Sequence, residues 1–266
     1  MMETFTTVDG IKLVGHQSGG DRDVIFQHGL CGDAAQPVDI FPRGRKWNCV
    51  TLECRGHGQS EIGNFEKLSI ATFTDDLANF IESRSQKPVT VGGISMGAAI
   101  AMRLAAIRPD LVKALIIARP AWGDTAAPEN MKPNASVGDL LSQHEPDQAL
   151  VEFEKTAMAL MLATTAPDNL SSLRSFFKRA PIANTAALLQ RISADGPNIN
   201  SAQIKIPTLV ICSERDYIHP MSHAITISQS ITNSKLVKVT PKSTNLTQYK
   251  LDFRTAIQNF LTEHDL

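Results

Sequence analysis

The sequence has no excess of charge of either sign and no long apolar run. Its 266 residues include 26 Lys and Arg and 27 Asp and Glu, which gives a formal net charge of -1. Without a strong field to attract nucleic acid or an anionic membrane surface, we expect neither as a partner. No stretch approaches the roughly 18 apolar residues of a membrane span, and the amino terminus lacks the features of a signal peptide. The sequence therefore predicts a soluble, cytoplasmic protein.

Cysteine is also scarce. The four cysteines, Cys31, Cys49, Cys54 and Cys212, are too few for a disulfide framework in a chain of 266 residues. Cys49 and Cys54 are predicted on one strand, where their odd spacing points the two side chains to opposite faces. None of the four has the spacing of a zinc site, and the chain contains no phosphate-binding loop or dinucleotide glycine motif. We therefore expect reduced thiols, no metal and no cofactor.

Strand-like and helix-like segments alternate along most of the chain, which is typical of a mostly parallel sheet covered by helices on both faces. After about residue 120 the strand-like runs stop, and prolines separate several helical segments up to about residue 200, where strand-like runs resume. We therefore predict an α/β core formed by residues 1–120 and 201–266, with residues 121–200 inserted as a helical cap.

Individual elements follow from local patterns. Thr4–Val8 and Ile11–His16 predict a hairpin with Asp9-Gly10 as its turn. Apolar residues at helical spacing predict a helix over Ile70–Ser83, and the continuous apolar run Val112–Ala118 predicts a buried strand.

The segment Gly93-Ile94-Ser95-Met96-Gly97 carries the clearest chemical information. It follows a predicted buried strand and opens a predicted helix of small residues. A serine at the tip of such a tight turn is held in a strained conformation, and flanking glycines are needed where a Cβ would collide with neighbouring elements. Ser95 is therefore the candidate nucleophile.

Four segments, in order, resemble the α/β-hydrolase superfamily along nearly the whole chain. They are His28-Gly29-Leu30, the segment 55–60, the segment 93–97, and the segment 207–216 followed by Pro220. The resemblance implies an α/β-hydrolase fold with Ser95 as nucleophile. It also implies an oxyanion hole formed by the backbone N–H groups of Leu30 and Met96, with Asp216 as the acid of a catalytic triad. In this family His28 and His57 are expected to be structural.

One member of that triad is missing. The family's histidine belongs between the last strand and the last helix, but Ser243, Thr244 and Asn245 occupy that region, and no histidine lies between His223 and His264. None of these three side chains is a base at neutral pH. An ordinary triad is therefore excluded.

Three explanations remain open. In the first, His219 serves as the base, since it follows Asp216 by three residues, with His223 and His144 as weaker candidates. In the second, Lys242 or the polar cluster Ser243–Asn245 supports lyase-type chemistry. In the third, the protein is a receptor-like module that binds a ligand without hydrolysing it.

The favoured prediction is an enzyme that uses Ser95 on a small to medium, largely apolar ester, lactone or related carbonyl substrate. The alternative is a non-hydrolytic ligand-binding or lyase-type protein. A small molecule is the expected substrate or ligand. The predicted cap also contains large apolar side chains that could line a pocket: Trp122, Phe153, Met158, Leu160, Met161, Leu162, Phe176 and Phe177.

Overall fold

The computed structural model describes all residues from Met1 to Leu266 and is organised around one sheet of eight strands. The strands are β1 (Met2–Thr6), β2 (Lys12–Gln17), β3 (Arg22–Gln27), β4 (Trp47–Leu52), β5 (Val89–Ile94), β6 (Val112–Ala118), β7 (Thr208–Ser213) and β8 (Ser234–Val239). Their spatial order is β1-β2-β4-β3-β5-β6-β7-β8. The β1–β2 and β2–β4 pairs are antiparallel, and every other pair is parallel. The sequence prediction of a mostly parallel α/β fold is confirmed.

Ten helices accompany the sheet: α1 (Ala35–Ile40), α2 (Ile70–Arg84), α3 (Met96–Ile107), α4 (Lys132–Gln143), α5 (Pro146–Glu154), α6 (Ala157–Thr165), α7 (Pro167–Phe176), α8 (Ile182–Ala194), α9 (Met221–Ser230) and α10 (Leu246–Glu263). Two apolar cores result. The larger one includes buried residues of α2, α3 and α9, and the smaller one lies between the sheet, α1 and α10. Because helices cover both faces, central strands such as β7 are buried throughout. None of the helices combines the length and apolar content needed to cross a bilayer.

Helices α4 to α8 occupy the chain between β6 and β7, within the segment that the sequence predicts to be a cap. Three of them, α4, α5 and α7, carry a proline in the first turn. Proline is tolerated there because its missing N–H would have no intrahelical partner. The apolar residues of this segment join the larger core, so the segment packs continuously onto the rest of the molecule.

Two local predictions are corrected by the structure. The first hairpin has a wider turn than the expected Asp9-Gly10 pair, since β1 ends at Thr6 and β2 begins at Lys12. The Thr7 hydroxyl donates to Asp9 and accepts from the Ile11 N–H, while the Thr7 N–H donates to the Ile11 carbonyl, so Thr7 and Ile11 close a turn through side-chain and backbone hydrogen bonds. Cys54 lies beyond the end of β4 and so does not share a strand with Cys49. All four cysteines are free, as expected.

Candidate active site

Ser95 lies at the sharp turn between β5 and α3, with φ 57° and ψ -114°. The turn requires the two glycines that the sequence places around it. A Cβ on Gly93 would stand 2.3 Å from the Gly97 backbone, and a Cβ on Gly97 would stand 2.3 Å from the Gln27 carbonyl oxygen. The Ser95 N–H donates to the Ala118 carbonyl at the end of β6. The strained position is thus fixed by neighbouring backbone on both sides.

His219 contacts the Ser95 side chain. Its Nε2 atom is 2.9 Å from Ser95 Oγ, and its Nδ1 atom is 2.8 Å from Asp216 Oδ1. Asp216 and His219 belong to the loop between β7 and α9, whereas Ser95 follows β5. These parallel strands end at the same edge of the sheet, which brings together residues distant in sequence. The structure therefore connects Ser95, His219 and Asp216 through two consecutive hydrogen bonds.

Asp216 is buried and fully engaged. Its Oδ2 accepts a hydrogen bond of 2.7 Å from Arg119 Nε, and its Oδ1 accepts from Asn169 Nδ2 and from the His219 N–H. Burial acts to raise the pKa of Asp216, but the charge of Arg119, together with His219, outweighs burial and holds this pKa well below its usual range. The carboxylate is therefore ionised at neutral pH.

The imidazole of His219 is kept neutral by its surroundings. Burial lowers the pKa of His219 below its ordinary value of 6.5; the Asp216 carboxylate opposes this shift, and the Arg119 guanidinium adds to it. At neutral pH the ring therefore retains one unprotonated nitrogen, which is a requirement for a general base.

Arg119 was missed at the sequence level. It follows β6 directly, has a positive φ of 45°, and donates through Nη1 to the Tyr249 hydroxyl. One signal could have found Arg119: it follows a parallel strand that lies between the strands leading to Ser95 and Asp216. Asn169, from α7, was also missed, and its sequence surroundings give no sign of this contact.

The loop after β3 lies beside Ser95 and is held from two sides. The Cys31 N–H donates to His57 Nε2 at 3.0 Å, and the Cys31 carbonyl accepts from Arg179 Nε at 3.0 Å. Among the backbone hydrogen bonds of turns, loops and helix ends, none is donated by the N–H of Leu30 or Met96.

Cys31 itself lines the cavity described below, and burial raises the pKa of its thiol to about 12, against the influence of Arg179. This thiol is therefore protonated at neutral pH.

Both histidines near this loop have structural hydrogen bonds, as the resemblance implies. His57 donates through Nδ1 to the Arg55 carbonyl, and His28 donates through Nδ1 to the Gly29 carbonyl while Nε2 accepts from the Cys54 N–H. Burial lowers the pKa of each ring, and for His57 the neighbouring His28 and Arg179 lower it further. Each ring is therefore neutral, with its proton on Nδ1.

A cavity of about 250 Å³ opens onto Ser95 and His219. Its apolar wall is formed by Leu30, Met131, Leu173, Phe176 and Ile218. Drug-sized ligands usually occupy cavities of about 300–1,000 Å³, so this space suits a smaller molecule. A larger, shallower groove of about 490 Å³ lies between β8 and α10, but neither Ser95 nor His219 lines it.

Comparison with known proteins identifies the fold family. A model of the alpha/beta hydrolase fold matches residues 24–249. The chain belongs to the α/β-hydrolase fold family. A Mycoplasma genitalium protein provisionally named esterase/lipase 2 is 24% identical to this chain over 206 residues. The aligned region covers 76% of this chain and 74% of the Mycoplasma protein.

Two solved structures illustrate the shared fold. An esterase from Exiguobacterium antarcticum has a TM-score of 0.76 at 19% identity, with 98% of this chain and 99% of its own covered. An enol-lactonase from Burkholderia xenovorans LB400 has a TM-score of 0.72 at 19% identity, and the superposition covers 98% of this chain and 100% of the lactonase chain. At these identities the likeness shows the fold alone.

In this α/β-hydrolase, the region where the resemblance places the family's histidine faces solvent. Ser243, Thr244 and Asn245 are all exposed, and the Asn245 side chain caps α10 by accepting from the Gln248 N–H. The exposed Lys242 lines a separate small cavity behind Asp216. Neither Lys242 nor any of the other three lines the cavity at Ser95.

The remaining candidates are distributed unevenly. Neither His144 nor His223 lines the cavity at Ser95, and His223 Nδ1 is buried without a hydrogen-bond partner. Of the eight large cap side chains considered from the sequence, only Phe176 lines this cavity. Trp122 and Phe153, for example, are fully buried core residues.

Proposed function

We propose that the protein is a serine hydrolase that cleaves small carboxylic esters or lactones, with Ser95 as nucleophile, His219 as general base and Asp216 as the acid that orients the imidazole. One observation carries this proposal: the contact of 2.9 Å between His219 Nε2 and Ser95 Oγ. The histidine thus comes from the loop after β7, which also supplies Asp216. Members of this fold carry many activities, so the chemistry is inferred from the site.

The first step needs an imidazole with its lone pair on Nε2. Two groups compete for Nδ1, since Asp216 Oδ1 is 2.8 Å away and Arg119 Nη2 is 3.0 Å away. A guanidinium can only donate, whereas a carboxylate can only accept. We assign the proton to Nδ1, donated to Asp216, because the contact with Asp216 is the shorter of the two and the Arg119 guanidinium already donates to Asp216 and to the Tyr249 hydroxyl. Nε2 is then free to accept the Ser95 proton as Oγ attacks the substrate carbonyl.

Negative charge then develops on the carbonyl oxygen. The N–H groups of Leu30 and Met96 are the proposed donors to this oxyanion, each worth roughly 3–4 kcal/mol by analogy with donor deletions in other enzymes. Met96 is the first residue of α3, so the positive end of the helix macrodipole adds to the stabilisation. Protonated His219 next gives its proton to the leaving alcohol, and water hydrolyses the acyl-Ser95 intermediate by the same steps.

Arg119 has a clear part in this proposal as a positioning residue. By neutralising Asp216 it allows an ionised carboxylate to remain buried, and the same charge helps to keep His219 unprotonated. The inserted segment 121–200 acts as a cap in this proposal, because residues of α7, including Leu173 and Phe176, line the cavity that opens onto Ser95. The cavity volume of about 250 Å³ favours short acyl groups.

The proposal is tested by turnover of p-nitrophenyl acetate and p-nitrophenyl butyrate. The wild type should hydrolyse at least one of them, and Ser95→Ala should reduce kcat to the background rate while the protein stays folded. Absence of turnover, together with apolar ligands that raise the Tm of the wild type, would favour the ligand-binding alternative instead.

A further inference from the structure

The cavity at Ser95 contains one polar side chain that the protein leaves unused. Asn134, in the first turn of α4, is only 5% exposed and lines the cavity. Its Oδ1 atom is buried and accepts no hydrogen bond. Nine buried side-chain polar atoms in the molecule lack a partner, and only Asn134 Oδ1 belongs to a residue of this cavity. A buried polar group without a partner is unfavourable, so its position at the cavity calls for a functional explanation.

Two neighbouring asparagines make the contrast clear. Asn169 accepts from the Tyr217 and Ile218 N–H groups and donates to Asp216. Asn130, two residues before α4, donates to the Ala121 and Ile218 carbonyls. Both side chains tie the helical segment to the loops around the site. Asn134 makes no such tie. Its Oδ1 atom is itself covered, so a bound molecule reaches the carboxamide from the side of Asn134 that lines the cavity.

Four other polar side chains that line the cavity each make at least one hydrogen bond within the protein. Gln36 Oε1 accepts from the Gly29 N–H at 2.6 Å. The hydroxyls of Ser172 and Ser175 donate to backbone carbonyls of their own helix, those of Asp168 and Ser172. Arg119 is committed to Asp216 and Tyr249. A polar group on the substrate therefore finds an unused partner at Asn134.

We propose that Asn134 determines substrate specificity by hydrogen bonding a hydroxyl group carried by the acyl or alcohol part of a short ester. The proposal rests on the proposed hydrolase function and refines its substrate class from largely apolar to hydroxylated. A hydroxyl group both donates and accepts, so it satisfies the carboxamide in either orientation of its oxygen and nitrogen. A site built to bond a hydroxyl discriminates strongly against an analogue that lacks it, since the site's own polar group is then left unpaired.

The test uses pairs of esters in which a methyl group replaces the hydroxyl at equal size. One pair, p-nitrophenyl 3-hydroxybutanoate and p-nitrophenyl 3-methylbutanoate, probes the acyl side; the other, 2-hydroxyethyl acetate and propyl acetate, probes the alcohol side. In at least one pair the wild type should prefer the hydroxylated ester in kcat/KM by roughly tenfold or more. Asn134→Leu, which keeps the approximate size of the side chain, should remove that preference by lowering kcat/KM for the hydroxylated ester. Equal preference in the two proteins, or no preference in the wild type, would overturn the proposal.

A stability measurement separates this role from a structural one. Because Oδ1 has no partner to lose, Asn134→Leu should leave the Tm unchanged or raise it. Asn130→Leu is the matched control, since it removes two observed hydrogen bonds and should lower the Tm. A drop in the Tm of Asn134→Leu equal to that of the control would mean that Asn134 is structural, and the proposal would fall.

Failure of the hydrolase proposal is detected separately. If the wild type hydrolyses no ester, binding of 3-hydroxybutanamide and 3-methylbutanamide to the wild type and Asn134→Leu is measured by calorimetry or ligand-observed NMR. Tighter binding of the hydroxylated amide by the wild type alone supports the role of Asn134 in recognition without catalysis. Equal affinities, or binding of neither amide by the wild type, contradict it.

Discussion

His219 Nε2 stands 2.9 Å from Ser95 Oγ, although the two residues are 124 positions apart in the chain. The same imidazole contacts Asp216, three residues before it, through Nδ1. The proposed acid and the proposed base therefore share one loop, and the region after β8 takes part in neither of these hydrogen bonds. In the proposed mechanism, catalysis depends on which ring nitrogen of His219 carries the proton and on the charges around this residue.

Asp216→Asn should disable the enzyme. The carboxamide can present an N–H group to Nδ1, which favours the tautomer with its proton on Nε2 and so removes the base from Ser95. We expect kcat for p-nitrophenyl acetate to fall on the order of 10⁴-fold, by analogy with the same change in serine proteases. Glu214→Gln is the matched control, because Glu214 is exposed and pairs with Lys238; its kcat should not change. A kcat for Asp216→Asn within tenfold of the wild type would contradict the assigned role.

Arg119→Gln should move the acid limb of the pH profile. Activity requires neutral His219 and therefore falls as the pH drops through the pKa of this residue, which lies below 6.5 in the wild type. Arg119 helps to lower that pKa, so its removal should raise the pKa and shift the limb of kcat/KM to higher pH. Lys242→Gln serves as the control and should leave the limb in place. A shift to lower pH in Arg119→Gln would be the wrong sign for this electrostatic role.

Arg179→Met should weaken catalysis through the loop that carries Leu30. Arg179 donates to the carbonyls of Cys31 and Gly56, so its loss leaves the loop held at Cys31 only by the hydrogen bond to His57. Small displacements of an oxyanion donor are costly, and we expect kcat to fall roughly tenfold to a hundredfold with little change in KM. Arg174→Met, which removes only the exposed pair with Glu154, should retain full activity. An increase in KM without a change in kcat would place Arg179 in substrate binding instead.

The buried histidines predict a loss of stability in mild acid. The pKa values of His28 and His57 lie below 6.5 in the folded protein and return to about that value on unfolding. The unfolded chain therefore binds more protons as the pH falls below about 6.5, and folding is destabilised there by up to about 1.4 kcal/mol per pH unit for each histidine. Denaturant unfolding at pH values from about 7.5 to about 5.5 measures this slope. A free energy of unfolding that is flat or rises toward acid would contradict neutral, buried rings.

Sequence analysis predicts those features that short segments encode. The strained turn at Ser95 depends on Gly93 and Gly97, which lie two residues before and two residues after it. Val112–Ala118 forms the expected strand with the expected bounds. The choice of His219 among several candidates stayed open, because it depends on where the loop after β7 points. Arg119 and Asn169 contact Asp216 from 97 and 47 positions away, so only the assembled sheet and the docked α7 bring these groups together. The turn of the first hairpin was missed because the Thr7 side chain helps to close it by bonding Asp9 and Ile11, which an alternating strand pattern does not show.

The proposed activation of Ser95 by His219 is tested most directly by the rate at which a fluorophosphonate labels Ser95. Intact-mass and peptide mass spectrometry follow the labelling. His223→Ala should be labelled as fast as the wild type, whereas His219→Ala should be slowed on the order of 10³-fold or more, because the serine loses its base. Labelling of Ser95 in His219→Ala at the wild-type rate would contradict activation of Ser95 by His219.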